Sequence, residues 1–292
     1  MEYIRKPLPE GVILDTLYDE NPYNICVMLA TRGRTKALSL CLSSLFSRAS
    51  GKTKIQLIIA FDRDDYIGLG YFNDVVKHWL EQKNIDYTLL VTERYGYTKL
   101  NYYYNIMGNM ARADWLLFWT DDAIMDTSGW DIEIAKYTGQ FKILSVYANN
   151  EHPYSIFPII PQPWVKVLGR VSRHQLNDTE VSQMAYLLDI FERIPVYVTH
   201  DRADLTGNNK DVTYDERYYF EGRPNDPNDF RHPDFYKKRI QDMQRLAHYM
   251  KVVGLDTSWW ESCIKGENKE PFAKLAANDP NKQVNIGTEF KK

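Results

Sequence analysis

The sequence predicts an α/β protein: a mostly parallel central sheet flanked by helices, with a helical extension at the C-terminal end. Three observations carry this expectation. Short runs rich in apolar residues, at Ile25–Ala30, Lys54–Phe61, Tyr87–Thr92 and Trp115–Trp119, have the character of strands buried on both faces. Segments with helical spacing alternate with them, giving the βαβαβαβ order that right-handed crossovers wind into a parallel sheet. Several of the strands also end in ionisable side chains, at the edge where open α/β sheets place their ligand crevice.

Taken in order, Ile25–Ala30 is followed by the short loop Thr31-Arg32-Gly33-Arg34 and by a helix from Thr35 to about Ser47. In that helix Leu38, Cys41, Leu42, Leu45 and Phe46 recur on one face. Lys54–Phe61 runs into Asp62, Arg63, Asp64 and Asp65, and an amphipathic helix follows over Asp74–Gln82. The third strand, Tyr87–Thr92, leads to a helical stretch from Lys99 to Met110. That stretch enters the run Ala113–Ala123, whose apolar core ends abruptly in Thr120-Asp121-Asp122.

The second half predicts a helix from Trp130 to about Tyr137, a strand at Phe141–Tyr147, and a Pro-bounded apolar segment, Phe157–Pro161, that reads as a lining rather than a central strand. A short helical stretch at Val165–Leu168 precedes Asn177-Asp178-Thr179-Glu180 and a helix over Val181–Phe191. Asp178 stands where an N-cap is expected and Glu180 in the first turn, a sufficient structural reason for both. The strand Ile194–Thr199 ends at His200-Asp201-Arg202. The turn-forming, charged stretch Asp201–Asp211 then reads as a surface connection or as a lid, and irregular sequence continues to Pro233. A long amphipathic helix covers Phe235–Val253, with Lys237, Lys238, Arg239 and Arg245 either solvated or facing an anionic partner. Trp259 and Trp260 anchor a last turn, and the polar end from about Asn278 is weakly ordered.

Composition narrows the classes. A hydrophobic fraction of 44% over 292 residues excludes a disordered chain. The net charge of −3 gives no global field that would recruit nucleic acid, although a local basic cleft involving Arg202, Lys210, Arg223 or the late helix would suffice. Three cysteines at positions 26, 41 and 263 do not form a disulfide framework or a thiolate zinc site, and a cytoplasmic home is expected. No apolar run reaches membrane-spanning length, so membrane insertion is not expected. No feature specifies an oligomeric state.

The strand ends carry the chemistry. Two adjacent carboxylates, Asp121 and Asp122, would hold a cation against a phosphorylated ligand, or cap a turn. Arg32 and Arg34 would hold phosphate oxygens, or stay solvated. Asp62 would accept hydrogen bonds from a nucleobase imide or a ribose hydroxyl, or sit in a solvated turn. The absence of GxGxxG and GxxxxGK[ST] loops argues against a dinucleotide-dependent dehydrogenase and a P-loop enzyme.

The series Leu-Ala-Thr-Arg-Gly-Arg at the first strand, Phe-Asp-Arg-Asp-Asp at the second, an Asn-bearing helix and then Trp-Thr-Asp-Asp resembles the nucleotide-sugar glycosyltransferases of GT-A fold. Within them it is closest to the family 2-like branch that includes bacteriophage-encoded members. The resemblance covers roughly residues 25 to 200. It implies that Thr31, Arg32, Arg34, Asp62, Asn101 and Asp121 line the site of a nucleoside-diphosphate sugar, a UDP-sugar first among them. It implies further that Asp122 and His200 hold a divalent cation, Mn²⁺ or Mg²⁺. An Asp at the start of the helix after the acceptor lining is the catalytic base in related inverting enzymes, and Asp178 is the residue that matches.

Thr120 stands where the first Asp of the Asp-x-Asp motif would fall, so either Asp121 assumes part of that role or ligation is thinner. The implied organisation is a donor half to residue 126, an acceptor and catalytic half over 127–233 and the extension over 234–292. The acceptor would be a hydroxyl on a hydroxymethylated base in phage DNA, in the host cytoplasm, or on a surface glycan or protein. A metal-dependent nucleotidyltransferase and a catalytically silent sugar- or nucleic-acid-binding module are the readings from other classes.

Overall fold

The computed structural model describes residues 22–149, 154–207 and 232–265. In chain order the elements are β1 (Tyr23–Thr31), α1 (Thr35–Ser47), β2 (Ile55–Asp62), α2 (Tyr66–Tyr71), a π-turn (Phe72–Val76), α3 (Lys77–Gln82) and β3 (Asp86–Thr92). A 3₁₀ turn (Tyr97–Lys99) then leads to α4 (Leu100–Met110), β4 (Ala113–Thr120), β5 (Ala123–Met125), α5 (Trp130–Ala135), β6 (Ile143–Ala148) and β7 (Ile159–Pro161). The remainder comprises α6 (Gln162–Leu168), α7 (Asn177–Leu187), β8 (Phe191–His200), α8 (Ala203–Thr206), α9 (Pro233–Val252) and α10 (Ser258–Ile264).

The eight strands of the described residues form one sheet, in the order β3-β2-β1-β4-β7-β6-β8-β5. The strands β3, β2, β1 and β4 are mutually parallel, and β6 and β8 pair in parallel. The short β7 runs antiparallel between β4 and β6, which leaves β6 pointing the same way as β4. The carboxyl ends of β1, β2, β4, β6 and β8 therefore lie along one rim. β5 turns back at that rim to pair antiparallel with β8, matching Ala123 to His200.

Because the strands are apolar on both faces, two cores form. On one side α1, the α2–α3 helix and α5 pack around Trp115, Trp119, Trp130 and Phe157; on the other, α4, α6, α7, α9 and α10 pack around Phe118, Tyr104, Trp164 and Trp260. Leu38, Cys41, Leu42 and Leu45 bury the face of α1 that their spacing marks out. Truncating one of the buried tryptophans to Ala would cost about 3–5 kcal/mol.

Several expectations need correction. The helix placed at Asp74 begins at Tyr66, because the Asp65 carboxylate caps it by accepting from the Gly68 N–H at 3.0 Å. Phe157–Pro161 is not merely a lining: Ile159–Pro161 is a strand in the middle of the sheet, and Pro161 is tolerated there because it is the last residue of β7. β5 is too short to show a period. The helix placed over Val181–Phe191 starts at Asn177 and stops at Leu187, and Phe191 opens β8. One helical turn, Ala203–Thr206, interrupts the connection after His200. Arg239 is not solvated but 2% exposed.

In the C-terminal helices Met243, Leu246, Met250 and Trp260 belong to the second core. Trp259 is tied down by donating its indole N–H to the Tyr186 carbonyl at 3.1 Å. Cys26, Cys41 and Cys263 are buried and unpaired. Among the described residues, no helix is long and apolar enough to cross a membrane. Most of the irregular stretch over 201–233, with Lys210 and Arg223, and the tail beyond Asn278 lie outside the described residues.

Candidate functional site

The site is built where β4 ends. The pairing of β5 with β8 pins the turn between β4 and β5, and the Asp201 N–H donates to the Asp122 carbonyl at 2.7 Å. This fixes Asp121 and Asp122, 5% and 7% exposed, beside His200. Asp121 accepts from the Thr31 hydroxyl at 2.6 Å and from Arg34 Nη1 at 3.0 Å. Asp122 accepts from the Thr120 hydroxyl at 2.6 Å and from the same Arg34 nitrogen at 3.3 Å, and His200 Nε2 lies 3.4 Å from its Oδ1.

Thr31 from the end of β1, Arg34 before α1, the carboxylate pair after β4 and His200 at the end of β8 thus form one polar cluster. Burial pushes Asp121 up to about 6 against the pull of Arg34, with the Asp122 charge adding to the rise. Burial acts on Asp122 in the same sense, but the His200 contact and the Arg34 charge outweigh it and hold its carboxyl below the ordinary range. Asp122 is therefore the stronger anion of the two.

A hard divalent ion sets the spacing its ligands must have. Two ligands at about 2.1 Å and a right angle stand about 3 Å apart, close to the observed Asp122–His200 spacing. The other imidazole nitrogen, His200 Nδ1, is buried with no hydrogen-bond partner among the described residues. Among those residues no group of three His, Cys, Asp or Glu side chains is arranged to hold a metal ion. The fit is that of an ion held by one or two side chains and completed by phosphate oxygens and water.

A second pole forms at the end of β2. Asp62 accepts from Arg32 Nη1 at 2.9 Å and from the Tyr103 hydroxyl, while Arg32 also forks onto Asp64 at 2.5 and 3.1 Å. Gly33, at φ +68°, takes the left-handed turn that brings its N–H to Asp65 at 2.9 Å. Arg32 is thereby held on carboxylates at the Asp62 pole, and Arg34 at the acidic pair.

Asp178 occupies the first turn of α7, with Leu176 rather than Asp178 in the N-cap position. The reason is local. Glu180 reaches back to accept from the Arg173 and His174 N–H groups at 2.9 and 2.8 Å, and His174 Nδ1 accepts from the Leu176 N–H at 3.1 Å. These side chains close the start of the helix, leaving the Asp178 carboxylate with only the adjacent Thr179 groups as donors among the described residues. The charges of Asp121, Asp122 and Asp178 all act on the Tyr104 hydroxyl, which donates to the Trp119 carbonyl at 3.0 Å; burial and these charges push the phenol up. Asp178 thus shares the electrostatic neighbourhood of the acidic pair.

Asn101 does not join that cluster in the structure. Its amide donates to the Arg173 carbonyl at 2.8 Å. Asn105 donates to the Ser172 carbonyl at 2.9 Å and accepts from the Val171 and Ser172 N–H groups at 2.8 and 3.1 Å; Asn109 donates to the Gly169 carbonyl at 3.2 Å. Asn101, Asn105 and Asn109 are one ladder on one face of α4, holding the segment that leads into α7. Sequence reasoning missed Asn105, Asn109, Tyr103, Tyr104 and Asn149, whose amide brackets the His200 backbone at 2.8 and 3.3 Å. The four-residue spacing of the asparagines was the available signal.

No protein-family model and no curated protein matches the sequence. Solved structures do. TarS residues 1–349 of S. aureus in complex with UDP superposes with a TM-score of 0.53 at 14% identity, covering 90% of this chain and 76% of that one. The same protein in complex with UDP-GlcNAc gives 0.53 at 13% identity over the same shares. GalNAc-T7 with UDP, GalNAc and Mn²⁺ gives 0.53 at 12% identity, covering 78% of this chain and 55% of that chain. The fold is accordingly the GT-A type of mixed α/β sheet flanked by helices.

Proposed function

We propose that the protein is a glycosyltransferase that moves a sugar from a nucleoside-diphosphate sugar to an acceptor hydroxyl. The observation that carries this reading is the cluster of Asp121, Asp122, Arg34 and His200, assembled by the β5–β8 pairing at the carboxyl rim of a GT-A sheet. A UDP-sugar is the first donor to test, because TarS and GalNAc-T7 are solved with UDP.

In this reading Asp122 and His200 hold Mn²⁺ or Mg²⁺, and Thr31, Arg32, Arg34, Asp62 and Asp121 line the donor site. Charge neutralisation at the departing diphosphate is the chemistry such an ion supplies when bound. Asp178 takes the proton from the acceptor hydroxyl as that oxygen attacks the anomeric carbon in line with the leaving group, which inverts the configuration. Two facts support this role: the carboxylate lacks a long-range partner among the described residues, and its charge reaches the same tyrosine hydroxyl as the acidic pair. The acceptors to compare are a glycan hydroxyl and the hydroxymethylated base of phage DNA that the sequence resemblance suggests.

The test is donor turnover by the purified protein. UDP-, GDP-, CMP- and TDP-sugars are supplied with Mn²⁺ and released nucleotide is measured, with EDTA controls. Metal-dependent release from one donor is the expected result. Calorimetry showing no binding of any nucleotide sugar, with or without Mn²⁺, would overturn the reading.

A further inference from the structure

The acidic cluster carries a cation of its own. All four carboxylate oxygens of Asp121 and Asp122 are engaged. Thr31 donates to Asp121 Oδ2 and Thr120 to Asp122 Oδ1, both at 2.6 Å. Arg34 Nη1 lies 3.0 Å from Asp121 Oδ1 and 3.3 Å from Asp122 Oδ2, so one guanidinium nitrogen spans the two acids on the oxygens that the threonines leave. The Arg34 side chain is 17% exposed and both carboxylates are buried, which keeps water from screening these charges well.

The same residue stands beside a place for phosphate. Arg34 directly precedes α1; its side chain makes no capping hydrogen bond to that helix, and the first turn carries no acid. The positive end of α1 therefore opens on the rim without a carboxylate of its own. Arg32, the other arginine of this loop, is held on Asp62 and Asp64. Arg34 is thus the arginine that reaches both the acidic pair and the start of the helix.

Charge makes its choice conditional. Two carboxylates and one guanidinium leave Asp121, Asp122 and Arg34 net negative. With a divalent ion on Asp122 and His200 they would become net positive, with like charges side by side in a buried site. A diphosphate arriving alone would meet two acids and a guanidinium already committed to them. When both arrive, the sum returns to its original sign, the acids no longer need the guanidinium, and its planar fork has phosphate oxygens to hold.

We propose that Arg34 is a positioning residue that couples the two ligands: it neutralises Asp121 and Asp122 when neither is bound, and passes to the diphosphate when ion and nucleotide sugar are held together. The inference rests on the proposed glycosyl transfer and names how that site selects the pair over either ligand alone. By linkage, each ligand tightens the other by the same factor.

Isothermal titration calorimetry on the full chain tests this, with Mn²⁺ alone, UDP or GDP alone, and Mn²⁺ with saturating nucleotide, after subtraction of Mn²⁺ titrated into nucleotide without protein. The parent is expected to bind Mn²⁺ at least about tenfold more tightly with nucleotide than without it. Arg34→Gln is expected to bind Mn²⁺ alone about tenfold more tightly than the parent and to lose about tenfold of the coupling factor. Arg34→Lys keeps the charge that the fold needs but lacks the fork. It should bind Mn²⁺ alone within about threefold of the parent, yet weaken nucleotide binding in the presence of Mn²⁺ about tenfold. Lys136→Gln, at an exposed lysine paired with Glu133, leaves all these constants unchanged.

Equal Mn²⁺ affinity with and without nucleotide in the parent, no gain of Mn²⁺ affinity in Arg34→Gln, or unimpaired nucleotide binding in Arg34→Lys would overturn the proposal. The parent separates the two failures. Mn²⁺-dependent nucleotide binding that neither substitution alters removes the role of Arg34 and keeps the transferase reading. Absence of nucleotide binding under every condition removes both.

Discussion

Two side chains of the proposed site each have their own expected signature. Among the described residues Asp178 is held only by its own helical turn, so Asp178→Asn should leave donor affinity within twofold and lower turnover about 10²- to 10⁴-fold, the range for a lost general base. Full turnover in that variant would remove the base role. Arg34 is the guanidinium between two adjacent buried carboxylates. Arg34→Gln should cost about 3 kcal/mol by removing the one cation that both share, measured as a fall in the urea midpoint. The same variant should regain more melting temperature from added Mn²⁺ than the parent does, since a cation at the pair replaces the missing charge; equal gains would argue against a cation site there. The carboxylate pair was legible as a sharp end to an apolar run. Its partner Arg34 was legible only as a charge beside a strand end, because the guanidinium's choice between phosphate and carboxylate depends on what β4 brings opposite it.

At the scale of elements, α4 is the helix that holds the segment leading into α7. The resemblance implies Asn101 at the donor site, and in the structure Asn101, Asn105 and Asn109 form a ladder that carries the loop before α7. Asn105→Ala removes three hydrogen bonds and leaves backbone groups unpaired. It should cost about 2–3 kcal/mol in urea unfolding and reduce turnover as Asp178 loses its fixed place. Asn101→Ala should lower stability while calorimetric donor affinity stays within twofold; a tenfold loss of donor affinity would return Asn101 to the donor site. Gly68 illustrates a tighter constraint. A Cβ there would stand 2.2 Å from Asp65 Oδ2, so Gly68→Ala should destabilise by about 1–3 kcal/mol and loosen the Gly33 turn that Asp65 holds. The long strands and helices were legible because they repeat a period over many residues. β5 and β7 were not, because three residues hold no period and only their neighbours in the sheet make them strands.

For the molecule as a whole, contacts run across the boundaries between the two halves and the C-terminal extension. One sheet runs through the presumed donor and acceptor halves, and the last helices complete a core. Asp242 makes this concrete: 2% exposed on α9, it accepts from Arg170 at 2.6 and 3.3 Å and from Arg173 at 2.6 and 2.8 Å. It thereby ties the late helix to the same segment that the asparagine ladder holds. Removing the chain from Asp234 onward should therefore yield an aggregating product rather than a smaller folded enzyme, and gel filtration would decide it.

The pairing of Ala123 with His200 has a consequence in time as well as in space. During synthesis the acidic turn leaves the ribosome roughly eighty residues before the strand that pins it, and non-local pairings of this kind form late. Ribosome-bound chains halted before β8 has emerged should carry the early β1–β4 strands yet fail to retain a nucleotide-sugar. Chains halted well after it should acquire that capacity in one step, making ligand capture a gauge of when the nascent sheet closes.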